Sequence, residues 1–333
     1  MAALGNQNMK EPRKHHYVAQ GHLSYFGSGR KGKQIWVFDK RDEVSFKASI
    51  GDVAAERDFY SVKMSDAKIN FEPNFSPIEA RAFKVFRKIV NEGTLLNLSD
   101  DDLMQLAGYI SFQFCRSKGF RHMYSTTITA LGDKIERITG GRKVNGQELP
   151  TGEEEKFWAL TTFLRMTDEL VPLILLKNWV LQYSQKHSFL ISDNPVVLHN
   201  HKDFGPYGNL GFAVTGIEIY MPISPQYCLS LYCPSIAAEI KQMAKDVERI
   251  ESLVNFDLFQ NQKKQISSLA KLLKAFEELE TINCDPENVT FLNHLQVRDS
   301  HRFLFSKDGD FSLPQKMISD DPKFKNGTNF KVT

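Results

Sequence analysis

Apolar and polar positions along this chain alternate, then cycle at helical spacing, then alternate again, and that order predicts its elements. The stretch "RKHHYVAQGHLSYF" (13–26) sets two histidines after two cations and follows them with alternating apolar and polar residues. Either the imidazoles do chemistry, or this is a basic, solvated lead into a first strand. "KQIWVFDK" (33–40) is apolar on both faces, Ile35 and Val37 against Trp36 and Phe38, and reads as a strand covered on both sides. "RDEV" then turns the chain into "VSFKASI".

Helical texture begins at Ser76. Ser76 suits a cap, Pro77 the first helical position, and Glu79 a capping box. Ala82, Phe83, Phe86, Ile89 and Val90 recur at helical spacing, and Gly93 marks the stop. A second helix is predicted from Ser99, where three aspartates meet the positive end of the dipole. Its apolar pattern extends toward Gly140 and Gly141, and "GRKVNGQELPTG" (141–152) is a polar loop. A further helix starts near Thr151, and Pro172 predicts a fresh start at Thr167 rather than one continuous helix.

"NWVLQYS", "HSFLIS", "GIEIYMPIS" and "YCLSLY" then read as strands. Helix returns from Pro234 to Glu280, Asp285-Pro286 opens a last helix, and "RFLFS" is a final strand. The expected architecture is α+β: a mixed or antiparallel sheet packed with a helical segment from the middle of the chain. It comprises a flexible N-terminus (1–13), one domain over 14–306 with a helical subregion at about 76–182, and a loose polar tail over 307–333.

Composition narrows the function classes. Lys and Arg number 42 against 40 Asp and Glu, so no global field draws nucleic acid or anionic lipid, and any polyanion contact must be local. Four cysteines without CxxC spacing suggest reduced thiols in a cytoplasmic protein. No signal-like h-region opens the chain, and "LVPLILL" is far too short to span a bilayer, so a soluble protein without a membrane partner is expected.

No phosphate-binding loop, dinucleotide fingerprint, HExxH or GxSxG occurs. The three glycines and three cations of "GSGRKGK" (27–33) open no helix, which favours a basic turn over an anion cradle. His15 and His16 point to opposite sides of an extended chain; either can serve as general base or ligand, or simply pack. Glu56 in "AERDFY" can bind a divalent cation or form a surface ion pair. Gln113 and Arg116 share one helical face, where amide and guanidinium can recognise a carboxylate or phosphate, or anchor protein carbonyls. Asp193 and Asn194 sit at a strand end, suited to a cleft or to a turn before Pro195. His199 and His201 have a chelating spacing that exposed loop histidines share.

"HHYVAQGHLSYF", "AERDFY", "SPIEARAF", "SFQFCR", "FLISDNPVV", "MPISP" and "NHLQVRDSHRFLFS" occur in an order that resembles a bacterial family catalogued as domain of unknown function 4238. The likeness runs from residue 14 to about 306, with Ala19 where the family usually has proline and Ser117-Lys118 where it has a Thr-Pro-like pair. It implies that the scattered polar residues form one site, and it associates the chain with phage-defence neighbourhoods; no reaction follows from it. The leading expectation is a metal-assisted hydrolase, a phosphodiesterase or nuclease using a divalent ion such as Mg or Mn. His16, Glu56 and Asp193 would be its ligands, and His15, His16, Gln113, Arg116 and Asn194 its catalytic groups. The competing expectation is a sensor or binding protein for a small anionic ligand or a partner, with those groups lining a polar cleft or forming a buried network.

Overall fold

The computed structural model describes residues 13–29, 32–64, 67–144, 146–205, 208–251 and 260–327. It opens with β1 (Lys14–His16), α1 (Gln20–Tyr25), β2 (Gln34–Asp39), β3 (Val44–Ser49), β4 (Ala55–Arg57), β5 (Ser61–Met64) and β6 (Ala67–Asn70). Four long helices follow: α2 (Ser76–Glu92), α3 (Asp100–Arg116), α4 (Lys118–Thr139) and α5 (Gly152–Leu175), with a hairpin of β7 (Lys143–Val144) and β8 (Gln147–Glu148) before the last. Strands β9 (Asn178–Tyr183), β10 (Ile191–Ser192), β11 (Val197–Asn200), β12 (Ile217–Pro222) and β13 (Tyr227–Tyr232) come next. The chain continues through α6 (Pro234–Glu251), α7 (Gln260–Glu278), β14 (Ile282–Asn283), α8 (Pro286–Asp299), β15 (Phe303–Ser306) and α9 (Ser312–Asp320). The fold is α+β.

Two sheets carry the architecture. One orders its strands β11-β12-β13-β9-β14, antiparallel except for β14 beside β9. Side-chain alternation divides its two faces. Leu181, Ile219, Leu229 and Leu231 join the core built with α1, α2, α3 and α5, while Val180, Tyr220 and Cys228 pack on Ile236, Ala275 and Leu292 from α6, α7 and α8. The other sheet runs β10-β15-β2-β3, so strands from both ends of the chain complete it. A third core of Phe38, Leu190, Val297 and Leu304 backs this sheet.

Several local expectations hold because the deciding groups are adjacent in sequence. Gly93 ends α2 in the left-handed region (φ 67°), Ser99 and Asp102 form a reciprocal capping box on α3, and the Asp285 side chain caps α8. Others are corrected. Residues 20–25, expected to lead into a strand, form a helix: Leu23 and Phe26 bury against the core, and Gly21 brings α1 so close to α2 that a Cβ there would collide with the Phe83 ring. Ser76 makes no side-chain cap, and Glu79 turns instead to Arg116. Helix α5 runs through Pro172, and Thr167 is interior to it, its carbonyl held by the Ser111 hydroxyl at 2.7 Å. The expected loose tail forms α9, because Phe311, Met317 and Ile318 bury against Phe38 and Val297. The expected flexible segment 1–13 lies outside the described residues except for Arg13, as do Arg30 and Lys31 of the basic turn.

Candidate functional site

The paired histidines are part of a buried clamp. Strand β1 pairs with β4, setting His15 opposite Glu56 and His16 opposite Ala55. The His15 ring is fully buried, stacks on Tyr60 with centroids 5.8 Å apart, and accepts the Tyr60 N–H at Nδ1 (2.8 Å). One turn of α3 then grips two successive carbonyls of the same segment. Gln113 Nε2 donates to the Tyr17 carbonyl (2.9 Å), and Arg116 Nη2 donates to the His16 carbonyl. The Arg116 guanidinium also ion-pairs with Glu79, reaches the Tyr60 hydroxyl and lies 4.6 Å from the Phe112 ring centre. These partners satisfy the directional needs of a buried cation and outweigh its desolvation, so it stays charged. Gln113 and Arg116 therefore hold protein backbone where the sequence also allowed an external anion.

His16 packs near Gln20, whose Nε2 lies 3.4 Å from His16 Nδ1. Burial lowers the proton affinity of its ring, the Gly51 carbonyl opposes that shift, and Lys14 and Arg116 add to it. Glu56 is half-exposed and pairs with Lys118 at 2.7 Å. Lys118 also lies 4.8 Å from the Tyr17 ring centre.

A second clamp is built from α8 and the turn after it. Asn293 accepts the Leu190 N–H (2.8 Å), Gln296 binds Ser192 and the Pro195 carbonyl, and Arg298 reaches the Leu198 carbonyl (2.8 Å). Asp193 answers from the other side: its carboxylate accepts the N–H groups of His301 (2.7 Å), Arg302 (2.7 Å) and Phe303 (2.9 Å). The buried Lys40 ammonium closes the end of α8 through the carbonyls of Val297 and Ser300, and burial holds its pKa down to about 8. The motifs "SDNP" and "NHLQVRDSHRF" are thus two halves of one interlock.

Between the clamps lies a cavity of about 480 Å³. Its body is apolar, with Phe114, Phe120, Met166, Leu170, Val196 and Phe212 in its wall. Its other end is polar, with Arg41, Ser117, Gly119, His122, Asn194 and His301, and also Asp299, whose carboxylate is paired with Arg298 at 2.7 Å. Ser117 caps the first turn of α4 by accepting the Phe120 N–H, so the positive end of a 22-residue helix dipole faces this region. Gly119 leaves room there; a Cβ would stand 3.6 Å from Asn194 Nδ2. Asn194 donates to the Asp299 carbonyl, while its Oδ1 is buried without a partner.

The two imidazoles have distinct settings. Arg41 Nη2 lies 3.2 Å from His301 Nε2, and a guanidinium only donates, so Nε2 accepts and Nδ1 carries the proton. Burial lowers the His301 pKa; the Asp193 carboxylate works against this, and Arg41, Lys118 and His122 reinforce it. The His122 ring is exposed on α4, its centroid 6.0 Å from that of His301.

Of the expected site residues, only Asn194 lines the cavity. His15, His16, Gln113 and Arg116 converge in the first clamp, with Glu56 opposite His15 on the neighbouring strand. Asp193 belongs to the second clamp. Among the described residues, no three His, Cys, Asp or Glu side chains are grouped to hold a metal ion. The residues expected as metal ligands instead contact protein groups: His16 with Gln20, Glu56 with Lys118, and Asp193 with three amides. His201 approaches Glu218 and Glu239, whereas the His199 ring packs edge-on to Phe291. No local pattern marks His122, His301 or Arg41 as site residues, although His301 lies inside "NHLQVRDSHRFLFS".

Fold and site define an α+β protein in which two backbone clamps flank an amphipathic cavity with a polar mouth. The family described as "Protein of unknown function (DUF4238)" matches residues 14–310, and the chain belongs to that family. No curated protein and no solved structure matches it. No helix among the described residues is long and apolar enough to cross a membrane.

Proposed function

We propose that this protein binds a small amphipathic anion in the cavity between its clamps. The observation that carries this reading is the polarity of the cavity itself: an aromatic and aliphatic body ending at Arg41, His301 and the α4 N-terminus. An apolar tail would gain by leaving water against Phe114, Leu170 and Phe212, and a cavity of about 480 Å³ suits a ligand of modest size. A carboxylate at the mouth would meet a permanent guanidinium charge, the imidazole N–H and the helix dipole together. A metal-assisted phosphodiesterase draws less support, because two of its three expected ligands, Glu56 and Asp193, are engaged with protein groups and no cluster of three ligating side chains occurs among the described residues.

Calorimetric titration of the full chain with octanoate, beside acetate and octanol, tests the reading. Octanoate should bind, acetate should lack the apolar contribution, and octanol should lack the ionic one. Substituting Arg41→Ala should weaken octanoate by roughly tenfold, the size of one charge-assisted hydrogen bond. Equal binding of octanoate and octanol, or none of either, would overturn it.

A further inference from the structure

We infer that the mouth of the cavity is also a metal-free hydrolytic centre, in which His122 is a general base acting on esters of the amphipathic acids that the cavity holds. The inference rests on the binding reading above and adds an activity to it. Gly119 and His122 are three residues apart and so share one face of α4, and both line the cavity. The first turn of α4 lines the cavity through Ser117, Gly119 and Phe120, next to His122. Among the described residues, His122 has a ring contact with His301 but no hydrogen bond, leaving both ring nitrogens available to water. His301 is the complementary group. Arg41 fixes its tautomer, so its Nδ1–H is a neutral donor, and that nitrogen lies 3.6 Å from where a Cβ on cavity-lining Gly327 would stand.

The reaction needs no further reagent than water. With the acyl group in the apolar body, neutral His122 accepts a proton from a water molecule as that oxygen bonds to the ester carbonyl carbon. The carbonyl electron pair moves onto its oxygen, where the His301 Nδ1–H and the amides of the α4 first turn meet the developing charge. The pair returns, the carbon–oxygen bond to the alcohol breaks, and the His122 imidazolium gives its proton to the departing alkoxide. A carboxylic acid and an alcohol result, with no change of oxidation state. At neutral pH the acid leaves as its carboxylate, the same kind of anion that the cavity is read to bind, so the product should compete with the substrate.

Hydrolysis of p-nitrophenyl octanoate and p-nitrophenyl acetate by the full chain decides it, with octanoate binding measured calorimetrically on the same preparation. The octanoyl ester should turn over faster than the acetyl ester, and octanoate should inhibit competitively. His122→Ala should lower kcat by roughly a hundredfold with a smaller change in KM, the span expected for loss of a general base. His122 is exposed, and unchanged thermal unfolding of the variant would confirm that the loss is not one of folding. If octanoate binds but His122→Ala retains the wild-type kcat, or no turnover exceeds buffer, the hydrolytic assignment fails while the binding reading stands. If octanoate does not bind, both fail.

Discussion

Arg116 donates to the main-chain carbonyl of His16, one hundred residues before it in the chain. This contact lets α3 hold the first strand directly, and it gives the arginine a structural task on the segment that carries the two histidines. Gln113 takes the next carbonyl, so the pair measures out consecutive peptide groups of one extended segment. Removing the guanidinium would leave Glu79 without its buried counter-charge and the His16 carbonyl without a donor. Arg116→Met should destabilise the protein by about 3–5 kcal/mol, as expected for breaking a buried pair from one side. Arg116→Lys should recover only part, because an ammonium lacks the planar fork. Urea unfolding would reveal this; a loss below about 1 kcal/mol in Arg116→Met would show that the clamp is dispensable.

Asp193 offers a sharper chemical test. Its carboxylate accepts three consecutive N–H groups, and Asn at this position would turn one acceptor into a donor facing an amide. Asp193→Asn should cost about 3 kcal/mol in unfolding free energy despite near-identical volume. It should also weaken octanoate binding, since the same turn positions His301. A variant of wild-type stability would refute the clamp assignment.

His22 predicts an acid limb of stability. Its buried ring donates from Nε2 to the Pro222 carbonyl (2.7 Å) and accepts the Tyr109 hydroxyl at Nδ1 (3.1 Å), and burial lowers its pKa from 6.5 to about 4. The unfolded chain therefore binds the extra proton first as pH falls. This contribution is fully present above pH 6.5 and is lost progressively down to about pH 4, a change of about 3 kcal/mol. Chemical unfolding measured across that window should show the slope, and His22→Phe, although less stable at neutral pH, should flatten it. An unchanged slope in the variant would assign the acid limb to other groups.

The four thiols should separate by reactivity. Burial raises Cys115 and Cys284 to about 12 and Cys228 higher still. Cys233 is also opposed by burial, but hydrogen bonding from Ser235, the Gly216 amide and the charge of Lys177 bring its net pKa below the ordinary thiol value. Iodoacetamide should label Cys233 first in the native protein, as peptide mapping by mass spectrometry would show, and Cys233→Ser should remove the fast phase. Labelling of Cys115 at a comparable rate would contradict the assignment.

What was legible in the sequence was local. Ser99 with Asp102, Asp285 with Asn288 and Gly93 after Ile89 each decide an element end within a few residues, so pattern reading found them. Ser76 misled because Glu79 has a stronger, distant partner in Arg116, and Pro172 misled because α5 continues through it with Leu170 and Ile174 buried on either side. Gln113 and Arg116 read equally well as an anion clamp or as anchors for protein carbonyls; which carbonyls they take, those of Tyr17 and His16, was not legible, since a carbonyl has no signature in a sequence. The cavity was less legible still. Its wall draws on stretches as distant as Arg41 and Gly327, and His301 owes its place to Asp193 rather than to its own neighbours.

The sheet that joins β2 and β3 to β10 and β15 bears on how the chain emerges from the ribosome. Residues 34–49 cannot gain their inner neighbour until residues 303–306 have been synthesised, and that long separation makes this pairing one of the slowest contacts to form. Until then the nascent β2–β3 hairpin keeps the β2 backbone edge unpaired, so its exposure to chaperones or to other nascent chains lasts while the residues between Ser49 and Phe303 are made.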